Sequence, residues 1–262
     1  MASNARKRRE HIVRLANSTG LASVEQLSEQ FGVTSSTIRR DLAQLTAAGQ
    51  LARTYGGAIA ISAHAEASFT QRSGEAFDAK RGLALWAATQ VTPGETLLLD
   101  SGSTVGALAH ELRHIRDLTV VTPSLTVLTE LANTEDIQVE CLGGTLRPLS
   151  QGFVGPLAEI ALERLTFDRA FLGADSVTAD NGICEADLQQ SRLKELVMRR
   201  SEAVYVLAHA EKIGRRPFHT WTLPQRPWTL VTDAGVTAEQ IAPFAAAGIT
   251  VVVVDRDGAP VE

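Results

Sequence analysis

The sequence predicts an α/β protein: a small winged helix-turn-helix domain at residues 1–58, then a larger, mostly parallel α/β sheet domain at residues 77–262. Three observations predict it. Between Ser23 and Gly57 two short apolar-periodic segments flank Gly32-Val33, and a glycine-bounded ribbon follows. From Phe77 onward, short apolar runs alternate with helical patterns, as in a parallel sheet covered on both faces. The charge is also divided. Residues 1–60 carry eight cations against four anions, net +4, in a chain of net charge -5, so the remainder holds -9. A basic head on an acidic body is expected if only the head meets a polyanion.

Composition sets the outer bounds. The 262 residues are 44% apolar, enough for a sizeable core, and 21% charged, too few for a disordered chain. Cys141 and Cys184 have no metal-ligand spacing and suggest no disulfide framework, so idle thiols in a reducing compartment are expected. The N-terminal MASNARKRREHIVRL lacks the apolar region of a secretory signal, and no apolar run approaches the roughly 18 residues of a membrane span. The expectation is a cytoplasmic chain without a membrane partner.

In order, Arg6 to Asn17 reads as a helix with Ile12, Val13 and Leu15 inward. Its run Arg6-Lys7-Arg8-Arg9 fits either contact with a DNA backbone or a solvated basic helix start. Ser23 and Gln26 form a capping pair for the second helix, whose Val24, Leu27 and Phe31 share one face. Thr34 caps the third, where Ile38, Leu42 and Leu45 point inward. That helix leaves outward Ser35, Ser36, Thr37, Arg39 and Arg40. Hydroxyls there suit phosphate, and an arginine fork suits guanine in a major groove. Gly49 to Gly57 reads as a β-wing carrying Arg53 and Tyr55, which complete the set of DNA-facing candidates. A solvated helical hairpin is the competing reading. Capping, the serine-threonine-arginine face and the wing together favour DNA.

Residues 59–76 have little periodicity and read as a connection. A helix is expected over Ala79–Val91. Strands are expected at Thr96–Leu99, Leu118–Val121, Val139–Leu142, Ala170–Leu172, Val204–Leu207, Thr229–Val231 and Ile249–Val254. Helices are expected at Thr104–Leu112, Leu125–Asn133, Pro156–Leu165, Leu188–Arg200 and Ala238–Ala247. The unbroken valines 251–254 suggest a strand covered on both faces.

Open parallel sheets bind ligands beyond the carboxyl ends of their strands. The residues there are polar or glycine: Asp100-Ser101-Gly102-Ser103-Thr104, Thr122-Pro123-Ser124, Gly143-Gly144-Thr145, Gly173-Ala174-Asp175, Ala208-His209 with Lys212 behind, and Thr232-Asp233. DSGST is the strongest local signal. Its glycine admits an anion to the backbone, its hydroxyls donate, and the next helix offers free N–H groups. The spacing of a P-loop is absent. An ordinary strand-to-helix turn with a serine cap remains the alternative. Asp175 either caps a turn or accepts from a sugar hydroxyl. His209 reads as a hydrogen-bonded histidine at a strand end, and Trp86, Trp221 and Trp228 as core or interface.

SVEQLSEQFGVTSSTIRRDLAQLTAAGQLARTYGGA resembles the winged helix-turn-helix of DeoR-type bacterial transcription regulators, in the run STIRRDL and the wing ending R-x-Y-G-G-A. LLLDSGST, LTVVTPSL, LGGTLRP, VGPLAE, FLGAD and VTDAG resemble the sensor domain of the same family. That sensor is similar in fold to ribose-5-phosphate isomerase. The resemblance implies a regulator of carbohydrate metabolism, in the main a repressor, that binds double-stranded operator DNA as a homo-oligomer and answers to a phosphorylated sugar, with no cofactor. By position, Asp100, Ser101, Gly102, Ser103 and Thr104 would hold phosphate. Thr122, Ser124, Gly143, Gly144 and Asp175 would line the pocket, with Lys194 and Lys212 as its cations. Phe69 and Arg72 match an aromatic and an arginine the family carries before its sensor, with a structural role implied. The sequence departs from the family pattern at Pro123, at Ala208 to Gly214 and at Gln189-Gln190, which leaves the effector's identity open. A phosphosugar isomerase or transferase, with Asp175 and Lys212 nominated for proton transfer, is the alternative function; no catalytic or metal residue is assigned.

Overall fold

The computed structural model describes residues 5–12, 22–47, 51–54, 57–60, 66 and 69–261. They form two compact units, divided between Glu66 and Ala67.

The head is small and built as expected. Residues 5–12 are helical (α1). A two-residue strand, β1 (Ala22–Ser23), leads into α2 (Val24–Phe31) and α3 (Ser35–Ala47). Gly32 makes the turn at φ 59°, a left-handed conformation that glycine adopts without strain. The turn is pinned by the Val33 N–H donating to Ser28 O at 3.2 Å and by Ser28 Oγ donating to Val33 O at 2.5 Å. Ile12, Val24, Leu27, Ile38, Leu42 and Leu45 bury their side chains together, with Phe31 and Val33 packed against them. The wing is the antiparallel pair β2 (Leu51–Thr54) and β3 (Gly57–Ala60), and β1 adds to its β3 edge. Val13, Leu15 and Tyr55 lie outside the described residues.

Of the segment 59–76 read as a connection, 59–60 complete β3 and Phe69–Gly74 form a short helix, α4, that belongs to the second unit. Then come α5 (Phe77–Thr89), β4 (Thr96–Leu99), α6 (Ser103–Leu112), β5 (Leu118–Thr122), α7 (Leu125–Leu131) and β6 (Ile137–Cys141). The hairpin β7 (Thr145–Arg147) and β8 (Gly152–Val154) leads into α8 (Pro156–Leu162) and β9 (Phe167–Leu172). Next are β10 (Ser176–Thr178), β11 (Gly182–Glu185), α9 (Leu188–Arg200) and β12 (Ser201–Leu207). A 3-10 turn (Ala210–Lys212), β13 (Thr220–Thr222), β14 (Thr229–Asp233), α10 (Ala238–Ala246) and β15 (Thr250–Val254) complete it.

Seven strands form one parallel sheet in the order β15-β14-β12-β9-β4-β5-β6. Its side chains alternate between two cores. Leu98, Val121 and Ala170 face one with Leu162, Leu196 and Phe244 of α8, α9 and α10. Leu97, Leu99, Val120 and Phe171 face the other with Leu83, Leu108 and Leu131 of α5, α6 and α7. The sheet is thus covered on both faces, as the apolar runs require. β15 is the exception to the sequence reading. It is an edge strand, and Val251, Val252 and Val253 are only half-buried. The short antiparallel pieces, β7–β8 and the trio β10-β11-β13, were not foreseen; three or four residues are too few to show a period of two.

One topological feature positions the site. From β4 the chain winds outward through β5 to β6, and β9 begins the opposite winding from the other side of β4. Such a reversal opens a crevice between two strands at their carboxyl ends. DSGST follows β4 and Gly173-Ala174-Asp175 follows β9, so both sequence signals flank that crevice.

Candidate functional site

In the head, Thr34 caps α3: the Thr37 N–H donates to Thr34 Oγ1 at 3.3 Å. The same oxygen lies 2.9 Å from Ser36 Oγ and 3.0 Å from Thr37 Oγ1. Ser36, Arg39 and Arg40 are exposed, Ser35 and Thr37 half-buried, and no acidic residue stands in the first turn to repel phosphate. Arg53 sits in β2, but its side chain, like Tyr55, falls outside the described residues. The basic run of α1 is committed elsewhere. Arg8 Nε lies 2.6 Å and Arg9 Nη1 3.4 Å from the buried Asp41 carboxylate on α3, and Arg6 pairs with Glu10 at 3.0 Å. Arg8 and Arg9 are thus not simply solvated; they hold α1 to α3.

In the second unit, a tight cleft at the β4/β9 reversal is lined by Ser101 to Thr104, Asp175, Glu185, Gln190, Lys194, Lys212, Arg72 and Ser150. Gly102 precedes α6 at φ 125°, where a β-carbon is disfavoured, and no side chain caps the helix start. Its first-turn N–H groups therefore face the cleft with their partial positive charge. Ser150 Oγ, in a residue only 2% exposed, has no hydrogen-bond partner among the described residues. A buried orphan hydroxyl is costly unless a ligand or water completes it.

Lys194, on α9, is the ionic centre. Its ammonium donates to Asp100 Oδ2 at 2.9 Å, to Gly173 O at 2.5 Å and to the Glu185 carboxylate. Three protons meet three acceptors, so it has none left for a ligand. Burial works against its charge, but Asp100 and Glu185 together hold its pKa above the usual lysine range. Burial pushes Glu185 up to about 8, Lys194 opposing, Asp175 and Asp100 adding. Lys212 donates to Ala174 O, and burial holds its pKa below the usual lysine range; Asp175 opposes that effect and Arg72 adds to it. An anion entering the cleft would relieve the crowding of Arg72 and Lys212.

The structure brings together Ser101, Gly102, Ser103, Thr104, Asp175, Lys194 and Lys212 of the expected set. Five others lie outside this lining, each with its own local contacts. Asp100 turns back on its own loop, accepting from the N–H groups of Ser101 (2.7 Å) and Gly173 (3.1 Å) as well as Lys194. Thr122 Oγ1 donates to Leu99 O and accepts from the Ser124 N–H. Ser124 Oγ caps α7. Gly143 and Gly144 take positive φ to start the β7 hairpin, and a β-carbon on Gly144 would sit 2.4 Å from Val154 O. None of these five lines the cleft. His209 is a further correction: it is buried, but its Nδ1 has no hydrogen-bond partner among the described residues.

Sequence reasoning missed Arg72, Ser150, Glu185 and Gln190 as cleft residues. Gln190 Nε2 donates to Ser101 Oγ at 3.3 Å, so a departure from the family pattern touches the DSGST turn. Arg72 carried a recognisable signal, an arginine in a stretch otherwise rich in Ala and Ser. A larger groove of about 440 Å³ runs between α4, α5, α6 and α7. Of its ionic groups, His110 pairs with Glu130 at 3.2 Å and Lys80 donates to the carbonyl of Arg72. Among the described residues no acid, His or Cys cluster could hold a metal, and no helix is long and apolar enough to cross a membrane.

Residues 8–64 match the DeoR-like helix-turn-helix domain and residues 75–251 the DeoR C terminal sensor domain. The HTH-type transcriptional regulator GlpR of Haloferax volcanii is 32% identical over 94% of this chain and 96% of that one. The glycerol-3-phosphate regulon repressor of Escherichia coli (strain K12) is 31% identical over 80% of this chain and 83% of that one. The lactose phosphotransferase system repressor of Streptococcus mutans is 31% identical over 87% and 91%. Ribose 5 phosphate isomerase A from Neisseria gonorrhoeae overlaps at 21% identity and a TM-score of 0.38, over 51% of this chain and 52% of that one, too partial an overlap to bear on function. The chain belongs to the DeoR family, whose members are helix-turn-helix transcription regulators rather than enzymes.

Proposed function

We propose that this DeoR-family chain is a cytoplasmic repressor of a carbohydrate-metabolism operon, released from its operator by a phosphorylated sugar bound at the β4/β9 cleft. The observation that carries the reading is the uncapped first turn of α6 opening onto a cleft with Arg72, Lys212 and the orphan hydroxyl of Ser150. Such a set suits a small, hydrogen-bonding anion. The names of the relatives, a glycerol-3-phosphate regulon repressor among them, point to the same ligand class.

In the head, Arg39 and Arg40 read base edges while Ser35, Ser36 and Thr37 meet phosphates. One such head reads few base pairs, so the working form is a homo-oligomer on paired half-sites. The effector acts by favouring a state with weaker operator affinity, since a ligand shifts an equilibrium only through unequal affinity for its states.

The test is fluorescence anisotropy with the full chain and its own promoter region at fixed salt, alone and with phosphorylated sugars. Arg39→Ala and Arg40→Ala should each weaken specific binding by about 1–3 kcal/mol where the side chain reads a base. Ser103→Ala combined with Thr104→Ala should bind operator normally but need more sugar phosphate for release. Equal affinity for promoter and scrambled duplex, with and without sugar phosphate, would sink the reading.

A further inference from the structure

Arg72 stands outside both family matches, which end at residue 64 and resume at 75, yet its side chain reaches the cleft. It extends from α4, a helix of six residues, none of them buried. Arg72 Nη1 lies 3.2 Å from Asp175 Oδ1, and Nη2 donates to Leu149 O at 2.6 Å, next to Ser150. Its side chain is 16% exposed, and that of Asp175 9%.

Several features of the cleft bear on what Arg72 does there. The free space among the lining side chains is about 20 Å³, room for a water and too little for a phosphate group. A phosphate seated among these side chains would press on the cleft walls. Lys194 cannot yield, because it is saturated and sits on the thirteen-residue α9. α4 is the lightly anchored wall. The carbonyl of Arg72 accepts from Lys80 Nζ and, at 3.4 Å, from Ser103 Oγ, so the backbone is held at the cleft while the guanidinium, at the end of a long side chain, reaches its partners by rotation about side-chain bonds.

Arg72 Nη1 meets Asp175 Oδ1 at 3.2 Å, longer than the usual charge-assisted contact between an arginine and a carboxylate. Asp175 is also held independently: the Ala186 N–H donates to its Oδ2 at 3.0 Å. It would keep its place if Arg72 turned away. Arg72 is the one arginine among the described lining residues, and a planar fork beside helix N–H groups matches the tetrahedral oxygens of a phosphate.

We propose that Arg72 is a binding residue of the anion site that exchanges partners. It leaves Asp175 and closes on the ligand's phosphate against the first turn of α6, and the freed Asp175 carboxylate accepts from a ligand hydroxyl. The exchange rests on the reading of the cleft as a phosphate site.

The two partners make opposite predictions for a probe that has no sugar. By calorimetry on the full chain with inorganic phosphate and with ribose 5-phosphate and glycerol 3-phosphate, Arg72→Ala lowers affinity for all that bind, roughly ten- to hundredfold. Arg72→Lys, keeping charge without the fork, recovers part of it. Asp175→Asn raises affinity for inorganic phosphate several-fold, because the competing carboxylate charge is gone. A merely structural pair would instead show both variants losing affinity together with stability in thermal melts. Unchanged affinity in Arg72→Ala, or a loss of inorganic phosphate binding in Asp175→Asn, overturns the exchange. Should Arg72→Ala not fold, Arg72→Lys and Asp175→Asn decide by the same signs. If Ser103→Ala with Thr104→Ala loses the ligand while Arg72→Ala keeps it, the cleft stands and the exchange falls. If the wild-type chain binds none of these probes, the cleft reading falls and the exchange with it.

Discussion

The head and the body each bury an ionic knot, and the knots are tied in opposite senses. In the head one carboxylate, Asp41, gathers two cations, Arg8 and Arg9. In the body one cation, Lys194, gathers two carboxylates, Asp100 and Glu185, and a carbonyl. The head uses up cations of α1 to hold helices together and leaves Arg39 and Arg40 on α3 exposed. The body uses up two acids to fix the loops after β4 and β9, which leaves fewer negative groups facing an incoming anion. In a segment that binds polyanions, as in a pocket that binds small ones, a charge's presence says little until its partners are counted. Arg8, Arg9 and Lys194 are all better read as scaffold than as ligands.

The knots also differ in depth, and that sets the order of the expected costs. Lys194 is 3% exposed at its side chain, with Asp100 at 9% and Glu185 at 6%. Replacing Lys194 by Met should cost the body about 3–5 kcal/mol, as expected when one partner of a buried ionic group is removed. The lower end is favoured, since burial already favours the protonated form of Glu185, which can take up a proton when its partner is gone. Urea unfolding of wild type and variant at pH 7 measures this. A loss below about 1 kcal/mol would mean the knot is not what holds the two loops.

The head's knot is shallower. Arg8 and Arg9 are 17% and 30% exposed and can turn to water when Asp41 is removed. Asp41→Ala should therefore cost about 1–3 kcal/mol, the range for hydrogen bonds to a charged group. Hydrogen exchange on the amides of α1 and α3 should register it as local opening in the head. If Asp41→Ala proved as costly as Lys194→Met, depth of burial would not be what separates the two regions.

The same contrast explains what was legible beforehand. The head could be read residue by residue, because Val24, Leu27, Ile38, Leu42 and Leu45 keep helical spacing and Gly32 marks the turn. The parallel sheet was legible from alternating runs, although the exposed side of β15 was hidden by its four valines. In the cleft, Ser101 to Thr104 and Asp175 could be found because topology places strand ends there. Asp100, Thr122 and Ser124 sit at the same strand ends but spend their side chains on backbone groups, which a linear pattern does not display. Arg72 and Ser150 come from a short helix and a hairpin loop, and only the tertiary fold brings them beside Ser101.

The smallest expected effect concerns His209, beside the deep end of the body. Its pKa is lowered to about 4 by burial, with Lys212 and Lys80 adding, Asp233 opposing and Arg215 adding last. An imidazole that charges near 6.5 when unfolded but near 4 when folded binds fewer protons in the folded state between those values. Stability therefore rises with pH across that window, is fully present above about 6.5 and is lost as pH falls toward 4. At neutral pH the ring is uncharged in both states, so His209→Gln changes little there beyond packing. The difference belongs to acid solution. Between pH 7 and pH 4.5 the wild type should lose more stability than His209→Gln, while the body's carboxylates titrate alike in both. The urea midpoints of the two proteins at the two pH values isolate the imidazole from those carboxylates. Equal losses would mean that His209 charges freely in the folded protein, and that water or an anion reaches it past Lys80 and Lys212. The body would then be as open to ions at this end as the head is along α3.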